Sequence, residues 1–181
     1  MIGDVRSSRG YHRYRSRRWR TTWAVRSANG SPLADATVDV WHSDGDGYYD
    51  VQQLDDAHGL AMRARLRTDA EGRFYFWTIM PAAYPIPNDG PVGQMLDAQS
   101  RHPYRPAHVH FMIAAPDHEQ LVTHVFVAGD QYLDSDVVFG VKDSLISPFD
   151  ERPAGTAPDG TEQPEPYAHL HYDFALAPAK A

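Results

Sequence analysis

The 181-residue chain contains no cysteine, which removes disulfide scaffolds, thiolate zinc sites, iron–sulfur clusters and cysteine nucleophiles together. Any metal chemistry must therefore use His, Asp, Glu or Tyr. No apolar run approaches the roughly 20 residues of a membrane-spanning helix, so no membrane partner is expected. A secretory signal is missing too, because the N-terminal stretch has no apolar core. With no targeting signal, the cytoplasm is the expected location.

What is present suits one globular unit: 42% hydrophobic, 23% charged and 12% aromatic residues. Charge is unevenly spread. Residues 1–30 hold eight Arg against one Asp, a balance of +7, while the remaining 151 residues carry −14. Arg mixed with Tyr and Trp could grip phosphates and stack on bases, but the acidic body behind would repel nucleic acid. No nucleic-acid partner is expected, and residues 1–30 read as a poorly ordered or atypical segment ahead of a domain at 31–181.

Behind that segment, short alternating stretches are separated by Gly, Pro and Asp turns. This texture predicts an all-β fold, an antiparallel β-sandwich with one or two short helices and long loops around a metal site. Ala36 to His42 and Met62 to Arg67 read as strands, the latter with its three Arg facing water. A turn at Asp69-Ala70-Glu71-Gly72 predicts a hairpin between Met62–Arg67 and Arg73–Met80. Further strands are expected at Ala107 to Ala114, Val122 to Val127 and Leu170 to Leu176. Helices are expected at Gly90 to Ser100, with Pro91 in its first turn, and around Asp136 to Ser144. Pro153 to Pro166 reads as an extended surface loop.

Arg105-Pro106-Ala107-His108-Val109-His110 carries the most chemistry. A strand repeats every two residues, so His108 and His110 leave the same face, spaced to hold one metal ion. The spacing alone is weak, since His169-Leu170-His171 shares it. Two tyrosines in turn-rich surroundings add weight: Tyr49 in Trp41-His42-Ser43-Asp44-Gly45-Asp46-Gly47-Tyr48-Tyr49, and Tyr84 in Pro81-Ala82-Ala83-Tyr84, followed by Asp89-Gly90-Pro91.

Taken together, W-x-x-x-x-x-G-x-Y, P-x-x-Y with D-G-P, and R-P-A-H-x-H in this order resemble the intradiol ring-cleaving dioxygenases. The likeness runs from about Ser31 to Ile146, with a looser tail to Phe174. It implies a non-haem iron(III) site, one ion per chain, with Tyr49, Tyr84, His108 and His110 as ligands. It implies a small aromatic diol or triol and O2 as reactants, with Tyr84 released as a base and Arg105 stabilising negative charge on the ring. The ligand chemistry agrees: coordination to a trivalent cation deprotonates phenols, and two hard anionic oxygens favour the ferric state.

Within the family, Tyr84-Pro85-Ile86-Pro87 and Leu133 to Leu145 are more similar to the hydroxyquinol-cleaving branch than to the catechol branch, and Val137 and Val138 fall at pocket-lining positions. His124 stands where the catechol branch usually has Gln, so it reads either as an acid/base counterpart of that amide or as a packed strand histidine. Tyr48 should turn away from Tyr49. His42 and His102 read as structural, and Asp44, Asp46 and Asp50 as a solvated turn, since they lack calcium-loop spacing. Family members of this type carry a long helical N-terminal region that forms much of a homodimer interface. Here about 30 residues without helical periodicity precede the match, which reads as a truncated start or a shorter variant.

Two other readings compete. A cupin-like iron(II) or zinc site would use His108, His110 and a carboxylate, but leaves the tyrosine motifs unused. A non-catalytic β-sandwich module would have lost its metal despite a complete ligand set.

Overall fold

Alternation along the strands determines which side chains become core and which become site. The computed structural model describes residues 3–4, 18–52 and 60–180. In chain order its elements are β1 (Gly3–Asp4), β2 (Arg18–Ser27), β3 (Thr37–His42), β4 (Arg63–Arg67), β5 (Arg73–Phe74), β6 (Phe76–Ile79), β7 (Tyr84–Pro85), α1 (Pro91–Ala98), β8 (Tyr104–Arg105), β9 (His108–Ala114), β10 (Leu121–Val127), β11 (Ile146–Ser147), β12 (Asp150–Arg152), β13 (Gly155–Thr156), β14 (Glu162–Gln163) and β15 (Tyr167–Leu176). One six-stranded sheet has the order β1-β6-β2-β15-β12, with β5 also on β2, and a five-stranded sheet has the order β11-β10-β9-β3-β4.

The two sheets face each other across one apolar core. Trp23 and Val25 of β2 and Leu170 and Phe174 of β15 meet Val38, Val40, Val109, Phe111, Ile113 and Val125 from the five-stranded sheet. Trp23 is the centrepiece: its ring lies 4.6 Å from Phe111 and stacks on Phe174 at 5.5 Å. The expected β-sandwich is thus the fold observed. Its strands are not all antiparallel, because β15 runs parallel to β2 along its length. A parallel pair cannot be joined by a tight hairpin, so these two strands close the fold from opposite ends of the chain.

Several local expectations are corrected. Residues 63–67 and 73–79 do not form a hairpin: β4 pairs with β3, whereas β5 and β6 pair with β2. The Asp69 carboxylate accepts from the backbone of Glu71 and Arg73, holding a turn that carries the chain from one sheet to the other. Arg63 does not simply face water but pairs with Asp50 at 2.6 Å. Around Asp136 to Ser144 the expected helix is absent, apart from a single 3-10 turn at Asp143–Leu145. The Pro153 to Pro166 loop carries the β13–β14 ribbon and is anchored where Trp77 donates to Asp159 and packs on Ala157.

The Arg-rich segment is also partly corrected, since β2 begins at Arg18 and lies inside the six-stranded sheet. Most of the remaining segment lies outside the described residues. Helix α1 forms where expected, with Pro91 in its first turn and Leu96 buried. No described helix is long and apolar enough to cross a membrane.

Candidate metal centre

On β9, Val109, Phe111 and Ile113 enter the core, so the period of two sends His108 and His110 to the opposite face of the same sheet. There the register sets His110 between Trp41 of β3 and His124 of β10, and His108 beside Phe126. The Trp41 indole stacks on His110 with centroids 5.0 Å apart and planes 6° from parallel. The imidazoles converge, with His108 Nε2 3.0 Å from His110 Nε2. His108 Nδ1 donates to the Pro106 carbonyl at 2.6 Å, which makes Nε2 the unprotonated nitrogen, turned toward Arg105, Tyr84 and His110.

Loops bring the tyrosines over this face. The buried Asp44 carboxylate accepts from the backbone of Asp46 and Tyr48, shaping the turn that delivers Tyr49. Asp44 is therefore not a solvated turn residue, and Asp50 is engaged by Arg63. Ser43 Oγ donates to the Ala82 carbonyl at 3.0 Å and stitches this loop to the one carrying Tyr84. Gly47 (φ 88°) sits in the crossing, where a Cβ would lie 3.1 Å from both Ala83 O and Tyr84 Cβ. The ribbon β7–β8 then sets Tyr84 opposite Arg105.

Electrostatically the site keeps its nitrogen donors neutral and its Tyr49 phenol protonated. Burial first, then the neighbouring His110 and Arg105, holds His108 well below the usual imidazole range. Burial, His124 and Arg105 push His110 down to about 3. Burial and the neighbouring Tyr84 phenol push Tyr49 well above its ordinary value. Tyr84 Oη lies 3.4 Å from His108 Nε2. Arg105 is buried and paired with Asp136 at 3.2 Å, and its Nη1 lies 3.2 Å from His108 Nε2.

Two features fit this donor set to a cation. Tyr49 Oη is buried without a hydrogen-bond partner among the described residues. The His108 and His110 nitrogens face each other at 3.0 Å, both disfavouring protonation. Tyr49, His108 and His110 would together hold a cation, which would give the buried phenol oxygen and the imidazole nitrogens a partner.

A family model described as "Dioxygenase" (Dioxygenase_C) matches residues 21–178. The chain belongs to the intradiol ring-cleavage dioxygenase family. It is 50% identical over 156 residues to a hydroxyquinol 1,2-dioxygenase of Nocardioides simplex, covering 86% of this chain and 53% of that protein. Its fold matches hydroxyquinol 1,2-dioxygenase of Pseudomonas putida DLL-E4 with a TM-score of 0.86 and 41% identity, over 98% of this chain and 60% of that one. Against catechol 1,2-dioxygenase of Pseudomonas arvilla C-1 the TM-score is 0.85 at 37% identity, over 99% and 58% of the two chains. The chain thus spans about half the length of the N. simplex relative.

The intradiol motif residues Tyr49, Tyr84, Arg105, His108 and His110 lie on adjoining loops and strands. His124 joins them at the edge, with its ring 5.7 Å from His110 and Nε2 donating to the Gly140 carbonyl at 3.3 Å. Val137 is buried and Val138 exposed. Tyr48 is exposed, as its position beside the motif tyrosine predicts. His42 is buried between the Ser43 carbonyl and Thr78 Oγ1, and His102 meets Ser135 Oγ away from the ligands. His171 is exposed beside Asp173. Two contributors to this candidate site were missed in the sequence. Asp136 gives no local motif, since Asp134 stands two residues before it and nothing in the sequence distinguishes the two. The Trp41 stack follows only from strand register.

Proposed function

We propose that the chain is the ring-cleaving part of a hydroxyquinol 1,2-dioxygenase, converting benzene-1,2,4-triol and O2 to maleylacetate. The observation that carries this reading is the convergence of Tyr49, Tyr84, His108 and His110 beside a buried, charged Arg105. Tyr49, Tyr84, His108 and His110 would hold one iron(III), which when bound supplies Lewis-acid activation of a vicinal diol toward O2. The 50% identity to hydroxyquinol 1,2-dioxygenase supports the triol over catechol.

The chain's own groups supply the rest. Tyr84 faces Arg105 across the ribbon, and as a tyrosinate it would take a proton from an incoming hydroxyl. Arg105 Nη1 points at the ligand cluster, where a fixed positive charge stabilises negative charge developing on the ring. The carbon–carbon bond between the two adjacent hydroxyl-bearing carbons breaks, and both atoms of O2 enter the dicarboxylate. Val137 and Val138 form part of the wall that accepts the third hydroxyl. His124, half-buried and kept neutral chiefly by burial, is a polar neighbour for a bound oxygen. A cytoplasmic setting and a homodimer belong to the same proposal, the latter decided by light scattering.

Oxygen uptake by iron-loaded protein tests the reading. Faster uptake with benzene-1,2,4-triol than with catechol, with maleylacetate as product, is expected. The reverse order, with cis,cis-muconate as product, identifies a catechol 1,2-dioxygenase. Inertness toward both marks a non-catalytic module.

A further inference from the structure

We propose that Asp136 is a positioning residue that aims Arg105 at the reacting ring and ties it to the pocket wall, so that one carboxylate sets both. The inference rests on the ring-cleavage reading above and adds a residue which the family motifs do not single out. Arg105 is 8% exposed and Asp136 3%, so neither charge can be left to solvent. A buried guanidinium without a counter-charge is costly, which makes the pair obligatory for Arg105 to remain inside.

The geometry divides the work of the guanidinium. Nε donates to Asp136 Oδ1 at 3.2 Å and Nη2 to Oδ2 at 3.3 Å, leaving Nη1 free to face His108 Nε2 at 3.2 Å. A two-pronged grip of this kind fixes the plane of the guanidinium as well as its charge. Without it the side chain could rotate, and Nη1 would no longer be aimed at the ligands.

The same carboxylate builds the loop beside the site. Asp136 Oδ2 accepts from Gly140 N at 2.8 Å, Oδ1 accepts from Val138 N at 3.4 Å, and the Asp136 carbonyl accepts from Phe139 N at 2.9 Å. This closed turn replaces the helix expected around Asp136 to Ser144. It is pinned where Val137 N donates to the Tyr104 carbonyl and Arg101 Nη2 donates to the Val137 carbonyl at 2.7 Å. The Gly140 carbonyl receives His124 Nε2, so His124 and Arg105 are both registered to one turn. Gly140 leaves no spare room: a Cβ there would lie 3.0 Å from Arg105 Nη2, 3.1 Å from Asp136 Oδ2 and 3.5 Å from His124 Nε2.

The test combines a structural and a kinetic reading. In the metal-free protein, the Arg105 Nε–H resonance, assigned by its loss in Arg105→Lys, is expected to be protected from solvent exchange. Asp136→Asn should abolish that protection while the core amides keep theirs. In iron-loaded protein Asp136→Asn should lower kcat roughly tenfold or more with KM for the triol shifted less than about threefold, because the Asn amide oxygen still accepts from the turn amides of the wall while Arg105, which acts on charge that develops during reaction, loses its counter-charge. In an Arg105→Gln background the same substitution should cost less than about a further threefold, since residues acting through one group are not additive.

Additive losses, or an Nε–H that stays protected in Asp136→Asn, would overturn the proposal. Should Asp136→Asn not fold, Gly140→Ala perturbs the same grip from the other side, and its cycle with Arg105→Gln is read in the same way. If the iron-loaded parent turns over no diol, the functional reading fails by itself, and the exchange experiment alone decides whether Asp136 holds Arg105.

Discussion

The two faces of β9 make opposite use of consecutive residues. Val109, Phe111 and Ile113 are fully buried between the sheets, where their contribution is non-directional burial of apolar surface. His108 and His110, one residue out of phase, are held by a specific backbone acceptor, an indole stack and a buried Arg. The inner face is complete as it stands. The outer face gathers a phenol without a hydrogen-bond partner among the described residues and two mutually facing imidazole nitrogens, a set that a cation would complete. Stability and chemistry are therefore separable along one strand, and each can be attacked without the other.

The largest separation is expected at Tyr49. Tyr49→Phe should lower iron affinity more than about 100-fold, beyond what outer-shell changes at metal sites cost. The metal-free variant should nonetheless be as stable as the parent or more so, because an unsatisfied buried hydroxyl costs about 1–3 kcal/mol. Iron titration and thermal melts of the apoprotein check both halves. An ordinary packed tyrosine would show the opposite pattern, with stability lost and affinity kept.

Next in size is the inner face. Phe111→Ala removes a ring that contacts Trp23, Phe74 and Phe174, and should cost about 3–5 kcal/mol in denaturant unfolding. Below the shifted melting temperature its iron spectrum should match the parent's. A changed spectrum would mean that the two faces are coupled after all.

His42 extends the comparison to acid. Burial outweighs its bond to the Ser43 carbonyl and holds it at about 4, against an ordinary 6.5. Between those values the unfolded chain takes up a proton that the folded chain refuses. Stability should thus fall as pH drops from 6.5 to about 4, by roughly 3 kcal/mol from this residue, and level off below. His42→Gln should flatten that part of the pH–stability curve, as measured by denaturant titrations. The smallest effect is expected at Trp41→Leu, which removes the stack on His110 and should weaken iron binding about tenfold, read by competition with a chelator.

Alternation made β3, β9 and β10 legible in the sequence, and with them the shared face of His108 and His110. The tyrosines were legible only as members of separated motifs, because their loops have no period to follow. Less could be read where a side chain shapes the backbone over a short range. The Asp69 turn looks like a hairpin turn, but its chain leaves toward the other sheet. Residues after Asp136 look helical, yet the carboxylate takes the Val138 and Gly140 amides and closes a turn instead. The charge of residues 1–30 concealed β2, whose core positions Trp23 and Val25 sit among its arginines. The Arg105–Asp136 pair spans 31 residues and could be found only in three dimensions.

The central claim is that Tyr49, Tyr84, His108 and His110 together hold one ferric ion. Titrating the metal-free protein with iron(III) while recording visible absorption tests it most directly. A red-brown tyrosinate-to-iron charge-transfer band that grows to saturation at about one equivalent per chain and is bleached by Tyr49→Phe is the predicted result. Protein that binds the iron and stays colourless would contradict the account.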